Sequence, residues 1–241
     1  VAKFQYQGKG QRGKTWHSEP DKNLTTSVLL YPNFLQPDYL FDLSKCVALG
    51  IAEALEALTK VGIFIKWPND IFAKNQKLGG ILIENQWSGG RLSEAIIGFG
   101  VNVFQASFPI EAGNPISLLQ LRPDLDRDMD HIRRCINDRL EANYELLRSG
   151  KREEIDRAYH KRLYRRSELC RFELLDLSRQ ESLQSTFSQT KSVQAKSTEQ
   201  EKTGALVFEG RIDSVDKFGQ LVLEMNGQRH CFAVGDISYL L

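Results

Sequence analysis

The chain has 241 residues, 41% of them hydrophobic and 26% charged, with a formal net charge of +1. That length allows one large domain, or a large and a small one, with a core that needs no disulfide or metal staple. The near-neutral balance gives no global field for nucleic acid or an anionic membrane, no apolar run reaches bilayer-spanning length, and no signal-peptide pattern is present.

The first residues, "VAKFQYQ", read as a strand already in progress, without an initiator Met. The expectation is a chain that starts inside a domain, with a further N-terminal piece in the parent protein. Next comes "GKGQRGKTW" (8 to 16), which packs three glycines, three cations and a tryptophan into nine residues. A glycine-rich basic loop points to a phosphate or carboxylate ligand. "TTSVLLYP" (25 to 32) is a β-branched apolar run ended by Pro, hence a strand. Leu40, Leu43, Val47, Ile51, Ala54, Leu55 and Leu58 fall at helical spacing, with Asp38 or Asp42 to cap the start and Gly62 to end the helix.

"VGIFIKW" (61 to 67) is a strand stopped by Pro68, which leaves Asn69 and Asp70 at its end, where loops hold ligand groups; these two are also ordinary turn formers. "LGGILIEN" (78 to 85) and "EAIIGFGVNV" (94 to 103) are two more strands, and "WSGGR" between them is short enough for an antiparallel hairpin. Lys77 stands just before Gly79 and Gly80, a point charge beside backbone that a ligand can approach closely. Gly98 and Gly100 repeat the pattern ahead of Asn102. Interior strand glycines weaken a sheet unless something packs on them, so two pairs in neighbouring strands suggest a ligand lying flat on the sheet.

Ile132, Cys135, Ile136, Leu140, Asn143, Tyr144 and Leu147 outline a second helix, capped by Asp128 or Asp130, and Ile155, Tyr159 and Leu163 a third. The order is not strict βαβ, which favours α+β with a mixed sheet. After about Tyr164 the chain turns to short strands: "ELCRFELLD", "LVFEGRIDSVD", "GQLVLEM" and "QRHCFAV", with Asn226-Gly227 as a hairpin signal. This is a small all-β module of the barrel kind. Residues 178 to 204, polar and poor in apolar side chains, read as an inserted flexible loop. Domain boundaries of 1–165 and 166–241 follow. Cys46, Cys135, Cys170 and Cys231 form no CxxC pair and the four histidines are dispersed, so neither a metal site nor a triad is assigned. Free cysteines fit a reducing, cytoplasmic compartment.

Four motifs in this order resemble the biotin–protein ligases: "GKGQRGKTW" for the family's Gly-Arg-Gly-x-x-Gly-x-x-Trp, then "KWPND", "KLGGILIE" and "GFGVN". The C-terminal module is similar to the family's SH3-like domain, and the resemblance covers most of the chain outside 178–204. It implies the biotin/lipoate ligase (class II synthetase-like) catalytic fold and a reaction in two steps. Biotin and ATP, with Mg²⁺, give biotinyl-5′-AMP, and a lysine of a biotin carboxyl carrier domain then takes the biotin. Lys77, with Arg12 and Lys14, matches the catalytic cations. Gln5, Gly8, Lys9, Gly10, Trp16, Lys77, Gly80 and Gly98 match biotin-binding positions. Gln11, Arg12, Lys14, Trp16, Asn69, Asp70, Lys77 and Asn102 match nucleotide positions, with Mg-ATP near Asp70 and no further metal.

The 8–16 loop is expected to close over the adenylate, with Trp16 as an apolar wall. Two positions depart from the family: Lys9 replaces an Arg, which loses bidentate geometry, and Gln11 replaces an Arg that holds the adenylate. The family's Ser/Thr-x-Asn segment for the biotin head group is expected before Val1. The implied partner is the carrier protein or domain of a biotin-dependent carboxylase, with no nucleic acid or membrane indicated and a monomer or homodimer as the assembly. The alternatives are a lipoate or octanoyl ligase of the same fold, or a catalytically impaired ligase that acts only as a binding module.

Overall fold

The computed structural model describes residues 1–176 and 206–240. The chain divides into two compact units, Val1–Tyr164 and Arg165–Leu241. The polar 178–204 segment lies outside the described residues.

The first unit opens with a small hairpin, β1 (Gly8–Lys9) and β2 (Thr15–Trp16). Its main sheet has five strands: β3 (Asn23–Leu30), β4 (Ile63–Lys66), β5 (Asp70–Ala73), β6 (Gln76–Ser88) and β7 (Arg91–Asn102). The strand order is β3-β7-β6-β5-β4. Every ladder is antiparallel; parallel pairing is confined to single bridges, Ile65 with Leu163 and Lys77 with Pro115. The sheet is therefore less mixed than expected, because short hairpin connections join β4 to β5, β5 to β6 and β6 to β7 and leave no crossover between them. The fold class is α+β, as expected.

Helix α1 (Leu40–Thr59) buries Leu43, Val47, Ile51, Ala54 and Leu55 and packs on β4 and β5. It follows a 3₁₀ turn at Pro37–Tyr39 and ends at Lys60 in left-handed conformation (φ 58°), not at Gly62. A four-residue helix, α2 (Leu118–Leu121), was not anticipated; Ser117 and Gln120 form a reciprocal capping box at its start. Helix α3 (Met129–Arg148) is capped by Asp128, whose carboxylate accepts from His131 N at 3.0 Å. It crosses α1 at Gly50, where a Cβ would stand 3.0 Å from the Leu140 Cα. Helix α4 (Arg152–Arg162) also packs on α1.

"VAKFQYQ" does not form the expected strand. Only Ala2 bridges, to Thr25, and Phe4 and Tyr6 face solvent. The apolar alternation there has no described surface to bury itself on.

The second unit is one antiparallel sheet built from β8 (Leu169–Leu174), β9 (Val207–Val215), β10 (Leu221–Met225), β11 (Gln228–Phe232) and β12 (Ile237–Leu240). The order is β11-β10-β9-β8-β12. Phe208 stacks between Phe172 and Phe232 at centroid distances of 5.8 and 5.6 Å. Asn226 and Gly227, at φ 54° and 75°, make the anticipated two-residue turn between β10 and β11. Strand β12 was missed because it pairs with β8, far away in sequence.

Candidate active site

Directly opposed residues share one face of a sheet. Across the main sheet one such row runs Lys66–Asp70–Gly80–Gly100–Thr25, and the next contains Leu82–Gly98–Ser27. Ile63, Ile65, Ile71, Ile81, Ile97 and Val101, on the other face, are buried. Gly80, Gly98 and Gly100 therefore lie together on the face turned away from that core, and Gly79 lies on the core side, in the row of Ile71 and Val101.

Lys77 reaches this face through a β-bulge. Regular alternation would put it on the side of Gly79 and Ile81. The β5–β6 register instead shifts between Ile71, opposite Gly79, and Phe72, opposite Lys77. Bulges re-aim side chains in this way. The Lys77 ammonium is 2.6 Å from Asp70 Oδ1 and 3.5 Å from where a Gly80 Cβ would be. Lys77 is 34% and Asp70 21% exposed, so the pair is open to a ligand from one side. Asp70 itself begins β5 and does not sit in the loop expected after Pro68. Asn69 clips its own strand end to β6: its amide donates to Ile81 O at 2.7 Å, and Ile81 N donates back to Asn69 O at 2.9 Å.

The four glycines of β6 and β7 have two different causes. A Cβ on Gly79 would lie 2.6 Å from Gly100 O, and one on Gly100 would lie 2.5 Å from two indole carbons of Trp16. Both glycines are required by the protein's own packing. A Cβ on Gly80 or Gly98 would meet nothing closer than 3.5 Å and 3.4 Å respectively, which is ordinary contact. Among the described residues nothing demands glycine at these two positions, yet each weakens its strand.

The basic loop is the β1–β2 hairpin. Gly8 pairs with Trp16 and Lys9 with Thr15, and the tip turns through Arg12 (φ 55°) and Gly13 (φ 76°). Gly10 N donates to Lys14 O at 2.7 Å. Trp16 folds back so that its indole lies on Gly100, and its Nε1 is buried with no hydrogen-bond partner among the described residues. Lys9, Arg12 and Lys14 are exposed, and Gln11 is half-buried at the tip. Gln5 is exposed, with its Oε1 3.1 Å from a Gly8 Cβ position.

Asn102, expected to face a nucleotide, ends β7. It is 3% exposed, and its amide donates to Lys77 O at 3.3 Å and Ile116 O at 3.1 Å. The NH₂ group is engaged in holding main chain. One cation was missed by the sequence reading. Lys66, directly opposite Asp70, lies in the same row with its ammonium 4.9 Å from the centre of the Phe72 ring. Its place inside "KWPND" was the available signal. Among the described residues no cluster of three or more His, Cys, Asp or Glu could hold a metal.

Residues 1–102 match the family model described as the biotin/lipoate A/B protein ligase family. The bifunctional ligase/repressor BirA of Bacillus spizizenii is 37% identical over 114 residues, covering 46% of this chain and 34% of that protein. The biotin–[acetyl-CoA-carboxylase] ligase of Paracoccus denitrificans is 32% identical over 108 residues, 43% of each chain. The match thus spans less than half the length of either relative. Among solved structures, the biotin protein ligase of Aquifex aeolicus in complex with biotin and ATP superposes with a TM-score of 0.73 at 22% identity, covering 100% of this chain and 87% of that one. That likeness establishes the fold. Residues 1–102, which hold the four ordered motifs, are thus similar to the biotin/lipoate A/B protein ligase family, and the family model covers less than half of the chain.

Proposed function

We propose that the chain joins biotin to ATP and passes the biotin to a lysine of a biotin carboxyl carrier domain. Residues 1–165 would carry the chemistry and 166–241 a small SH3-like accessory domain, with the reaction in the cytoplasm, where four free cysteines are at home. A biotin carboxylate oxygen attacks the α-phosphorus, the bond to the β-phosphate oxygen breaks, and pyrophosphate leaves with the electron pair. The neutral amine of the carrier lysine then attacks the acyl carbon, the acyl–oxygen bond breaks, AMP leaves with the electron pair, and the nitrogen's surplus proton passes to solvent.

The observation that carries this reading is the pair of glycines, Gly80 and Gly98, that the protein's own packing does not require, beside the Lys77 ammonium. A flat ligand laid over them reaches main chain on one side and a cation at its end. Two anions must meet there, and Lys77 offsets their repulsion without a covalent role. Asp70 holds the lysine in register until a phosphate competes for it. Lys66 supplies a second positive charge on the same row, and Lys9, Arg12 and Lys14 a third group above it. Mg²⁺ enters with ATP as part of the substrate. One carboxylate, Asp70, suits an ion that keeps its remaining ligands as phosphate and water. The hairpin bearing Trp16 excludes water from the mixed anhydride.

Biotin-dependent exchange of pyrophosphate into ATP tests the first step, and labelled biotin appearing on a carrier-domain lysine tests the second. Exchange driven by lipoate or octanoate in place of biotin would overturn the substrate assignment. Gly98→Ala separates ligand space from fold. Its Cβ meets only ordinary contacts, so the variant should be as stable as the parent or about 0.5 kcal/mol more so, because Ala is less costly than Gly in a strand. Biotin binding by titration calorimetry should nevertheless weaken about tenfold or more, since overpacking a filled site costs about 1–3 kcal/mol. Unchanged affinity would place the ligand elsewhere.

A further inference from the structure

We propose that Asn114 is a positioning residue for Lys77, acting through a short strap that stands in for the ladder bonds lost at the bulge. The proposal rests on the reading of Lys77 given above. Both main-chain polar groups of Lys77 bond to this strap: its N–H donates to Asn114 O at 2.8 Å, and its carbonyl accepts from Ile116 N at 2.9 Å. Together they form the parallel bridge of Lys77 with Pro115. Asn102 closes the arrangement by donating to both Lys77 O and Ile116 O.

Side chains staple the strap to the β5–β6 turn. Gln76 Nε2 donates to Asn114 Oδ1 at 3.0 Å and to Pro115 O at 3.2 Å, and Asn114 Nδ2 donates to Asn75 O at 3.3 Å. The Asn114 amide thus grips the two residues before Lys77 while its carbonyl grips Lys77 itself. The strap's far end is equally fixed. Ser117 caps α2, Leu119 N donates to Val103 O at 2.9 Å, and Gln120 Nε2 donates to Ala106 O at 3.1 Å.

The physical need is specific to this position. A lysine ammonium sits on a flexible four-carbon stem, so its placement depends on its root. Here the root is a bulge, where an extra residue is left unpaired and the ladder is locally disrupted. Misplacing a reacting contact by about 1 Å can lower a rate by roughly 10². The Asn114 side chain is exposed and makes only neutral hydrogen bonds, so removing it should not unfold the sheet.

In Asn114→Ala, kcat for biotin-dependent pyrophosphate exchange should fall about tenfold or more with KM for biotin unchanged. Hydrogen exchange at the Lys77 amide should accelerate at least about tenfold, since its acceptor strap is released. In the Lys77→Ala background the same change should lower the rate no further. An unchanged kcat, or an equal loss with and without Lys77, overturns the proposal. If the parent protein shows no biotin-dependent exchange at all, the ligase reading alone fails. The Lys77 amide then decides: faster exchange in Asn114→Ala upholds the strap, and unaltered exchange overturns it.

Discussion

Lys77→Ala is expected to lower biotin-dependent pyrophosphate exchange by roughly 10²–10³-fold while leaving the protein folded, the usual loss when one preorganised charge contact is removed from an active site. The stability cost should be small. Both members of the Lys77–Asp70 pair are partly exposed, and pairs of that kind contribute about 0–1 kcal/mol. The Asp70 carboxylate left behind can be hydrated. Lys77→Arg tests whether charge alone suffices. A planar guanidinium cannot reproduce the ammonium's position beside Gly80, so most of the rate should remain lost. Asp70→Asn tests the partner: it leaves the cation in place but unguided, and should fall between the parent and Lys77→Ala. A folded Lys77→Ala protein turning over at the parent rate would sink the assignment of Lys77.

What made Lys77 hard to place from sequence also explains which parts of the fold were legible. Long periodic segments were plain. Helices α1 and α3 follow their apolar spacing, and the β6–β7 hairpin follows two apolar runs around Ser88-Gly89-Gly90. Strand β5 was not, because four residues between Pro68 and a turn at Lys74–Asn75 carry too little pattern. That turn uses two non-glycine residues at φ 48° and 62° and so lacks the usual Asn-Gly signal. The bulge at Leu78 is a property of register between two strands, invisible in either alone.

Among the site residues, the motifs identified the right stretches but not the cause of each residue. Gly79 and Gly100 read like Gly80 and Gly98 in sequence. Only the structure separates the pair required by backbone and by Trp16 from the pair with room to spare. Asn102 read as a ligand contact, yet its amide binds two carbonyls. These contacts join residues 14 or more positions apart, which local pattern cannot encode.

The largest stability effect is expected at Lys45, a lysine 2% exposed inside α1. Its ammonium lies 2.6 Å from Asp156 on α4 and 4.0 Å from Asp42, with the Phe41 and Tyr159 ring centres at 5.7 and 5.8 Å. Arg152 stands 3.6 Å from Asp42, and His160 stands 3.2 Å from Asp156. This cluster fastens α4 to α1, and α1 backs β5, the strand that presents Asp70. Removing one member of a buried pair costs about 3–5 kcal/mol. Asp156 is 46% exposed and can be rehydrated, so Lys45→Ala should sit near the lower end, about 3 kcal/mol. Lys45→Met keeps the stem and should lose less. Its deficit should also depend on pH. Burial raises the Asp42 carboxyl above its ordinary 3.8, against the lowering pull of Lys45 and Arg152. Without Lys45 it rises further. A raised carboxyl favours the folded state while protonated: that contribution is fully present below 3.8 and is lost as pH climbs through the folded value. The Lys45→Met deficit should therefore be smallest in acid and grow toward neutrality. Trp16, Trp67 and Trp87 all lie in the first unit, so urea unfolding followed by tryptophan fluorescence reports on it directly. A Lys45→Met deficit that does not change with pH would mean that Asp42 does not feel Lys45. A Lys45→Ala loss under about 1 kcal/mol would mean that the cluster does not brace α1 at all.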